Sequence, residues 1–411
     1  MDPHPDMQED VSAVVDRGER PALMEPLVLA EGSLHREALL DLAVDLAKRS
    51  AGLRRSLPAA VATSLADLVR SMNCYYSNLI EGHDTHPVEI ERALRNDYST
   101  DPNKRDLQLE AKAHIAVQAW IDGGGLGGKA ATVEGIVAIH RRFCELLPEE
   151  LLRVTNPETG KRVRVEPGAL RREDVRVGQH TPVSPGSLPR FLARFEEVYA
   201  RLGTLGTILA AAAAHHRLLW IHPFADGNGR VARLMSHAML RDTLDSGGVW
   251  SIARGLARQV AAYKSHLAAC DLTRRNDLDG RGNLSEEALA AFTRFFLEAC
   301  IDQIKFMESL VRPDDLRTRV RLWAQEEAKL GRLPARAGQL LEAVLYRGEL
   351  PRGEVPALLK LTERHSRRIV AALAEVGALV ADSPRAPLRL GLPAALAPRW
   401  LPGLFPAEGG S

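Results

Sequence analysis

Cysteine is scarce in this 411-residue chain: four residues, Cys74, Cys144, Cys270 and Cys300, far apart and never in a CxxC pair. That spacing excludes a zinc ribbon and argues against a disulfide framework, and it predicts buried thiols in a reducing, cytoplasmic setting. Net charge is nearly absent too, with 54 Lys and Arg against 53 Asp and Glu. No global field therefore draws the chain to nucleic acid or membrane, and any basic surface has to be local. No apolar run approaches the roughly 18 residues that cross a bilayer, so no membrane association is expected. The opening residues, "MDPHPDMQEDVSAVVD", are acidic and carry proline, the reverse of a secretory signal. The phosphate-binding GxxxxGK[ST] loop is also missing.

What is present is an ordinary globular balance, 45% hydrophobic and 26% charged, over a length that suits two or three domains. Residues 1–34 read as a leader, poorly ordered or loosely docked. Apolar spacings of three and four predict a helical arm over 35–125, and "DGGGLGGKA" a flexible connection. A core over 126–310 opens on "TVEGIVAIHRRFCELL", with Thr132 as a helix cap. Between Leu151 and Val183 the period changes to two: "LLRV-TNPETGK-RVRV" and then "EDVRVGQH" predict one or two β-hairpins. Helical spacing returns at "SLPRFLARFEEVYARL" and "TILAAAAAHHRLLWI". The predicted fold class is mainly α with a small β-hairpin excursion.

A linker helix is expected over 311–335, and the chain then changes character. "ARAGQLLEAVLYRGEL", "PRGEVPALLKL" and "TERHSRRIVAALAEVGAL" predict three short helices, and "LVADSPRAPLRLGLP" a hairpin turning at Pro384–Pro387. Three helices followed by a β-wing is the order of a winged helix-turn-helix domain, expected over 336–392 with a tail over 393–411. Thr362 can cap the third helix, with Ile369, Val370 and Leu373 on its buried side. Arg364, Arg367 and Arg368 near its N-terminal end make DNA one candidate partner; a solvated face or a protein contact is the other reading.

The stretch that carries chemistry is "IHPFADGNGRVARL", Ile221–Leu234. Pro223 disfavours helical geometry at His222, and Gly227, Asn228 and Gly229 favour a turn. A helix restarts at "RVARL", so the turn presents backbone N–H groups at a helix N-terminus, a ready anion site. Arg230 and Arg233 are three apart and share a helical face, within reach of a polyphosphate. Asp226 beside this positive charge suits a magnesium ion on that phosphate, and His222 suits a general base for an incoming hydroxyl. A lone His beside Pro is usually packing, and GNG alone is a turn, but the whole string fixes nearly every position across a dozen residues.

"HPFADGNGRVAR" resembles the active-site signature of the Fic family, HPFx[D/E]GNGRxxR, with no departure at a signature position. Further segments resemble that family's core over roughly 35–310. The resemblance implies an all-helical core that transfers AMP from ATP to a hydroxyl of a target protein. His222 would deprotonate that hydroxyl and Phe224 would plug the loop into the core. Asp226 would hold Mg2+, Gly227, Asn228 and Gly229 would form an anion hole, Arg230 would reach the β-phosphate and Arg233 the γ-phosphate. "EDVRVGQH", with Val175, Val177 and Gly178, resembles the family's flap, which pairs with an extended target segment by strand addition. Leu170 stands where many relatives carry an aromatic residue, so target preference is not inherited. Relatives often form a homodimer.

In "YYSNLIEGHDTH", Ser77 and Glu81 are four apart on one helical face, and Gly82 is a natural helix stop. The pattern is weak alone, but it resembles the inhibitory helix [S/T]xxxE[G/N] of one Fic class. By that resemblance Glu81 would pair with Arg233 and hold the nucleotide in an unproductive pose; in some relatives the same glutamate serves removal of AMP. Relatives that move phosphate or phosphocholine supply an alternative chemistry. A DNA-binding regulator whose core senses nucleotide is an alternative of another class.

Overall fold

The computed structural model describes residues 14–155, 160 and 162–406 and is mainly helical, with two small antiparallel sheets. The arm comprises α1 (Arg36–Arg55), α2 (Ala59–Ile80), α3 (Pro87–Leu94) and α4 (Pro102–Asp122). Next come α5 (Val133–Glu145), the hairpin β1 (Arg153–Thr155) and β2 (Arg162–Arg164), α6 (Leu188–Tyr199) and α7 (Thr204–Ile221). They are followed by α8 (Asn228–Leu244), α9 (Ala253–Arg258), α10 (Val260–Cys270) and α11 (Glu286–Val311). Helix α12 (Pro313–Lys329) leads to α13 (Ala337–Arg347), β3 (Glu349–Leu350), α14 (Val355–Leu359) and α15 (Glu363–Glu375). Strands β4 (Leu379–Val380) and β5 (Leu388–Leu390) and helix α16 (Ala397–Trp400) complete the order.

A helix that is apolar all round has to be covered all round. In α7 the run from Ile208 to Leu218 is buried throughout, and α8 is its most extensive neighbour. The polar groups this helix carries inward are all paired. His215 Nδ1 lies 2.9 Å from Ser236 Oγ on α8, and Nε2 lies 2.7 Å from the Tyr263 hydroxyl on α10. Ser236 donates its own proton to the Ala232 carbonyl, so Nδ1 is the donor of the first bond and Nε2 the acceptor of the second. Helix α2 is likewise sunk among its neighbours, α4 and α9 above all, and most of its C-terminal half is inaccessible. Caps fall where side-chain oxygens can reach free amides: Thr132 accepts from Gly135 N at 3.0 Å and Ser285 from Ala288 N at 3.0 Å.

Two connections differ from expectation. Residues 14–34 are packed down rather than loose, with Met24 and Leu27 in the core. The buried Arg217 explains why, since its Nε and Nη2 both donate to the Pro26 carbonyl, at 3.2 and 2.8 Å. Residues 1–13 of the expected leader, and 407–411 of the expected tail, lie outside the described residues. The glycine-rich stretch after α4 is a hydrogen-bonded helix end instead of a flexible link. Gly123, Gly124 and Gly125 donate to Ala119, Ile121 and Trp120, and a Cβ on Gly125 would strike the Trp120 indole. Between 151 and 183 one hairpin forms among the described residues, within the expected one or two: β1 pairs with β2 in the register Val154 opposite Val163. The "EDVRVGQH" segment is a turn closed by a single Val177–His180 bridge, because its only partner is itself.

Residues 337–390 pack three helices on a three-stranded sheet of order β3-β5-β4. Ile369 and Leu373 of α15 are buried and Val370 is half-buried, while Arg364, Arg367 and Arg368 are exposed. Beyond β5 the chain returns to the arm. Trp400 meets Trp323 edge-on at 5.1 Å, and the Leu404 carbonyl accepts from the Tyr76 hydroxyl of α2 at 3.0 Å. Arg254 donates to the Gly403 carbonyl at 3.0 Å. No described helix is long and apolar enough to cross a membrane.

Burial holds His114 and His215 down to about 3 and His216 down to about 4, helped in the first two by the nearby Arg233 charge. Below about pH 6.5 the unfolded chain takes up protons that these folded sites refuse, so stability falls as pH falls, by up to ~1.4 kcal/mol per pH unit for each group. The urea midpoint at pH 5 should therefore lie below that at pH 7. Both ring nitrogens of His114 are buried without a partner, so His114→Leu should narrow the gap.

Candidate active site

The loop between α7 and α8 turns the chain through a sharp reversal. Helix α7 ends at His222, whose backbone is left-handed (φ 51°, ψ 63°) and whose amide closes on Leu218 at 3.0 Å. That conformation costs a non-glycine residue about 1–3 kcal/mol, so its surroundings must enforce it. Phe224 is wholly buried and stacks on the His140 ring of α5, centroids 3.9 Å apart. Asn228 staples the turn: Oδ1 accepts from Phe224 N at 3.0 Å and Nδ2 donates to Phe224 O at 2.9 Å. Gly227, at φ 80°, precedes the first residue of α8. The side chain of Asn228 is thus fully engaged, which leaves its backbone N–H, with those of Gly229 and Arg230, at the open end of the helix.

His222 Nδ1 lies 3.3 Å from the Leu219 carbonyl. A carbonyl only accepts, so Nδ1 carries the proton and Nε2 the lone pair. Burial pushes the imidazole down to about 4, with the nearby Arg171 charge acting in the same direction and the Leu219 bond opposing. At neutral pH it is an uncharged base. Its carbonyl accepts from Arg171 Nε at 2.7 Å, and the Arg171 amide donates to Pro223 O at 2.9 Å. Arg171, itself buried and drawn down to about 10 by desolvation, thereby ties the segment after the hairpin to the motif loop.

The two arginines at the start of α8, Arg230 and Arg233, point to different carboxylates. Arg233, 3% exposed, donates from Nε to Ser77 Oγ at 2.8 Å, from Nη2 to the Ser77 carbonyl at 3.3 Å, and from Nη2 to Glu81 Oε1. Burial works against the Glu81 charge, but Arg233 outweighs it and holds the carboxyl below its usual range. A Cβ on Gly229 would collide with this carboxylate, so Glu81 rests directly over the first turn of α8. Arg230 instead donates from Nη2 to Glu110 of α4 at 2.6 Å and sits over the Phe143 ring, 5.2 Å from its centroid. Ser77, Glu81, Gly229, Arg230 and Arg233 are therefore one cluster.

A cavity of about 570 Å³ opens on the other side of His222, bounded by Val154, Val163, Leu170, Val175 and Asp226. Of the three expected flap residues, Val175 lines it. Val177 is exposed, and Gly178 (φ 60°) forms the turn, whose end is held by His180 Nε2 against the Trp220 carbonyl at 2.8 Å. Asp226 is exposed at the loop tip. Among the described residues no group of three or more His, Cys, Asp or Glu side chains is arranged to hold a metal. One carboxylate at the cavity's edge does fit Mg2+ brought in on a polyphosphate, since that ion takes one or two carboxylates and fills its sphere with phosphate oxygens and water.

Residues 130–240 match the Fic/DOC family. The chain carries a Fic domain. Two curated relatives are both named protein adenylyltransferase Fic. That of Drosophila erecta is 28% identical over 222 residues, 51% of this chain and 42% of the relative. That of Drosophila melanogaster is 30% identical over 168 residues, 40% and 31%. The chain thus spans less than half the length of these relatives. A solved Fic family protein from Desulfovibrio desulfuricans G20 aligns at TM-score 0.49 and 17% identity, over 86% of this chain and 95% of that one.

Three site residues escaped the sequence reading: Glu110, His140 and Arg171. Each reaches the Fic loop across a long stretch of chain, and no local spacing marks it. His140 accepts from Gly168 N at 2.9 Å while backing Phe224, so it braces both sides of the loop. Asn228→Ala would leave the buried Phe224 amide and carbonyl without partners. The expected loss is about 2–4 kcal/mol, read from the denaturant midpoint.

Proposed function

We propose that this protein transfers AMP from ATP to a Ser, Thr or Tyr hydroxyl of a target protein, and of itself, under restraint by Glu81. The observation that carries the reading is the Glu81 carboxylate lying over Gly229 and against Arg233, where a phosphate group would need to sit. An anion already belongs at that helix end; the chain supplies its own. The relatives named protein adenylyltransferase support the same chemistry.

In the proposed reaction the triphosphate lies along the first turn of α8, with Arg230 on the β-phosphate and Arg233, freed from Glu81, on the γ-phosphate. Asp226 would hold Mg2+, which supplies charge neutralisation of the phosphates. The target hydroxyl enters from the cavity lined by Val175 and Leu170. Its oxygen forms a bond to the α-phosphorus, and the bond from that phosphorus to the bridging oxygen breaks. Pyrophosphate leaves with the electron pair, and His222 Nε2 takes the hydroxyl proton. Such a displacement rests on positioning and charge stabilisation, which a half-buried, neutral imidazole and two fixed guanidiniums supply. With AMP already on a target, the Glu81 carboxylate suits the reverse task of orienting a water for its removal.

Mass spectrometry after incubation with ATP and Mg2+ tests this. Glu81→Gly should gain AMP on itself at least tenfold faster than the parent, and His222→Ala added to it should gain none. Equal labelling of parent and Glu81→Gly would remove the restraint from the account. The low basicity of His222 sets the pH response: the acid limb of the Glu81→Gly rate should fall well below pH 6.5, toward about 4.

A second role is favoured by the C-terminal unit, which we read as a winged helix. Lys360, Arg364, Arg368 and Arg385 are exposed and have no ion-pair partner among the described residues, and Arg364 and Arg368 share one face of α15. That face suits the major groove of duplex DNA. Arg364→Ala with Arg368→Ala should weaken the mobility shift of a DNA duplex and flatten its salt dependence. An unchanged shift, or none with the parent, would leave the unit as a protein-contact module.

A further inference from the structure

We infer that Glu110 is a positioning residue for the polyphosphate site, holding the Arg230 guanidinium in the attitude that receives a β-phosphate; the inference rests on the nucleotide reading above. Arg230 and Arg233 of α8 both face carboxylates, but the two pairs are built differently. Glu81 is about one-third exposed, leans over Gly229, and engages an arginine whose Nε and Nη2 are both occupied. It stands where a ligand would stand. Glu110 is 15% exposed, comes from the middle of α4, and touches Arg230 through Nη2 alone. The rest of the Arg230 fork is unpaired: Nε is buried with no partner, and Nη1 has none among the described residues. A competitor for phosphate would occupy the fork. Glu110 grips one prong and leaves the hydrogen-bonding capacity of the others unspent.

Two further contacts fix the pair. Phe143 backs the guanidinium from α5, and His83 Nδ1 sits 3.2 Å from the same Glu110 oxygen that Arg230 uses. Arg217 and Arg171 are at least as deeply buried and rest on backbone carbonyls. Among the described residues Arg230 reaches only Glu110 and, at 3.5 Å, His83 Nδ1, so without Glu110 it would swing toward Glu81 or toward solvent. Glu110 therefore does for Arg230 what a supporting shell does for any preorganised ligand group: it removes the conformational search from the binding step.

Calorimetry in the Glu81→Gly background, comparing ATP with AMP, decides the matter. AMP lacks the β-phosphate, so its affinity does not depend on where Arg230 points. Glu110→Ala should weaken ATP by about tenfold while leaving AMP unchanged. Glu110→Gln keeps the shape and one acceptor oxygen without the charge, and should lose about threefold for ATP alone. This variant carries the test if the alanine protein does not fold. Unchanged ATP affinity, tighter ATP binding, or equal losses for ATP and AMP would each overturn the assignment. Failure of ATP to bind Glu81→Gly with Glu110 intact would overturn the nucleotide reading and this inference together.

Discussion

Two buried helices, α7 and α8, have to reverse direction within the six residues from His222 to Gly227, and the site follows from that reversal. Neither helix can shift to ease the turn, because each is covered on nearly every side. The strain is taken by a left-handed histidine and a positive-φ glycine, and it is locked by Phe224 in the core and Asn228 across the loop. The result is a histidine whose ring cannot choose its tautomer and a helix end whose amides cannot pair within the helix. Both are properties of backbone geometry before they are properties of chemistry.

The second constraint is electrostatic. Arg230 and Arg233 enter a desolvated region of α8 as fixed positive charges, and a buried charge demands a partner. The fold answers with a different carboxylate for each, Glu81 from the end of α2 and Glu110 from α4. Because the two acids arrive on separate elements, one can leave without the other. A charge that may depart and a charge that stays are distinct mechanical parts, even though both appear as one ion pair apiece.

The parts legible in the sequence were those whose signal is local. Pro223, Gly227 and Gly229 punctuate the loop, and the four-residue interval from Ser77 to Glu81 is a helical face whatever else the chain does. The three helices and the strands β4 and β5 near the C-terminus were legible for the same reason. Period two yielded paired strands in "LLRV" and "RVRV", while in "EDVRVGQH" it yielded a turn that folds onto itself through the Val177–His180 bridge. Residues 14–34 misled: their anchor, Arg217, lies some 190 positions away. Glu110, His140 and Arg171 were invisible on the same ground, since each acts through a contact that only the tertiary arrangement creates.

The return of residues 404 and 405 to α2 has a consequence of its own. Leu404 accepts from Tyr76, and Phe405 meets the Tyr75 ring at 6.1 Å, one and two positions before Ser77. The helix that leads to Glu81 is thus gripped from one side by α4 and α9 and from the other by Leu404 and Phe405. A tag, fusion or protease cut placed there would be felt along α2, so the choice of which end to modify is a choice about the behaviour of the protein under study.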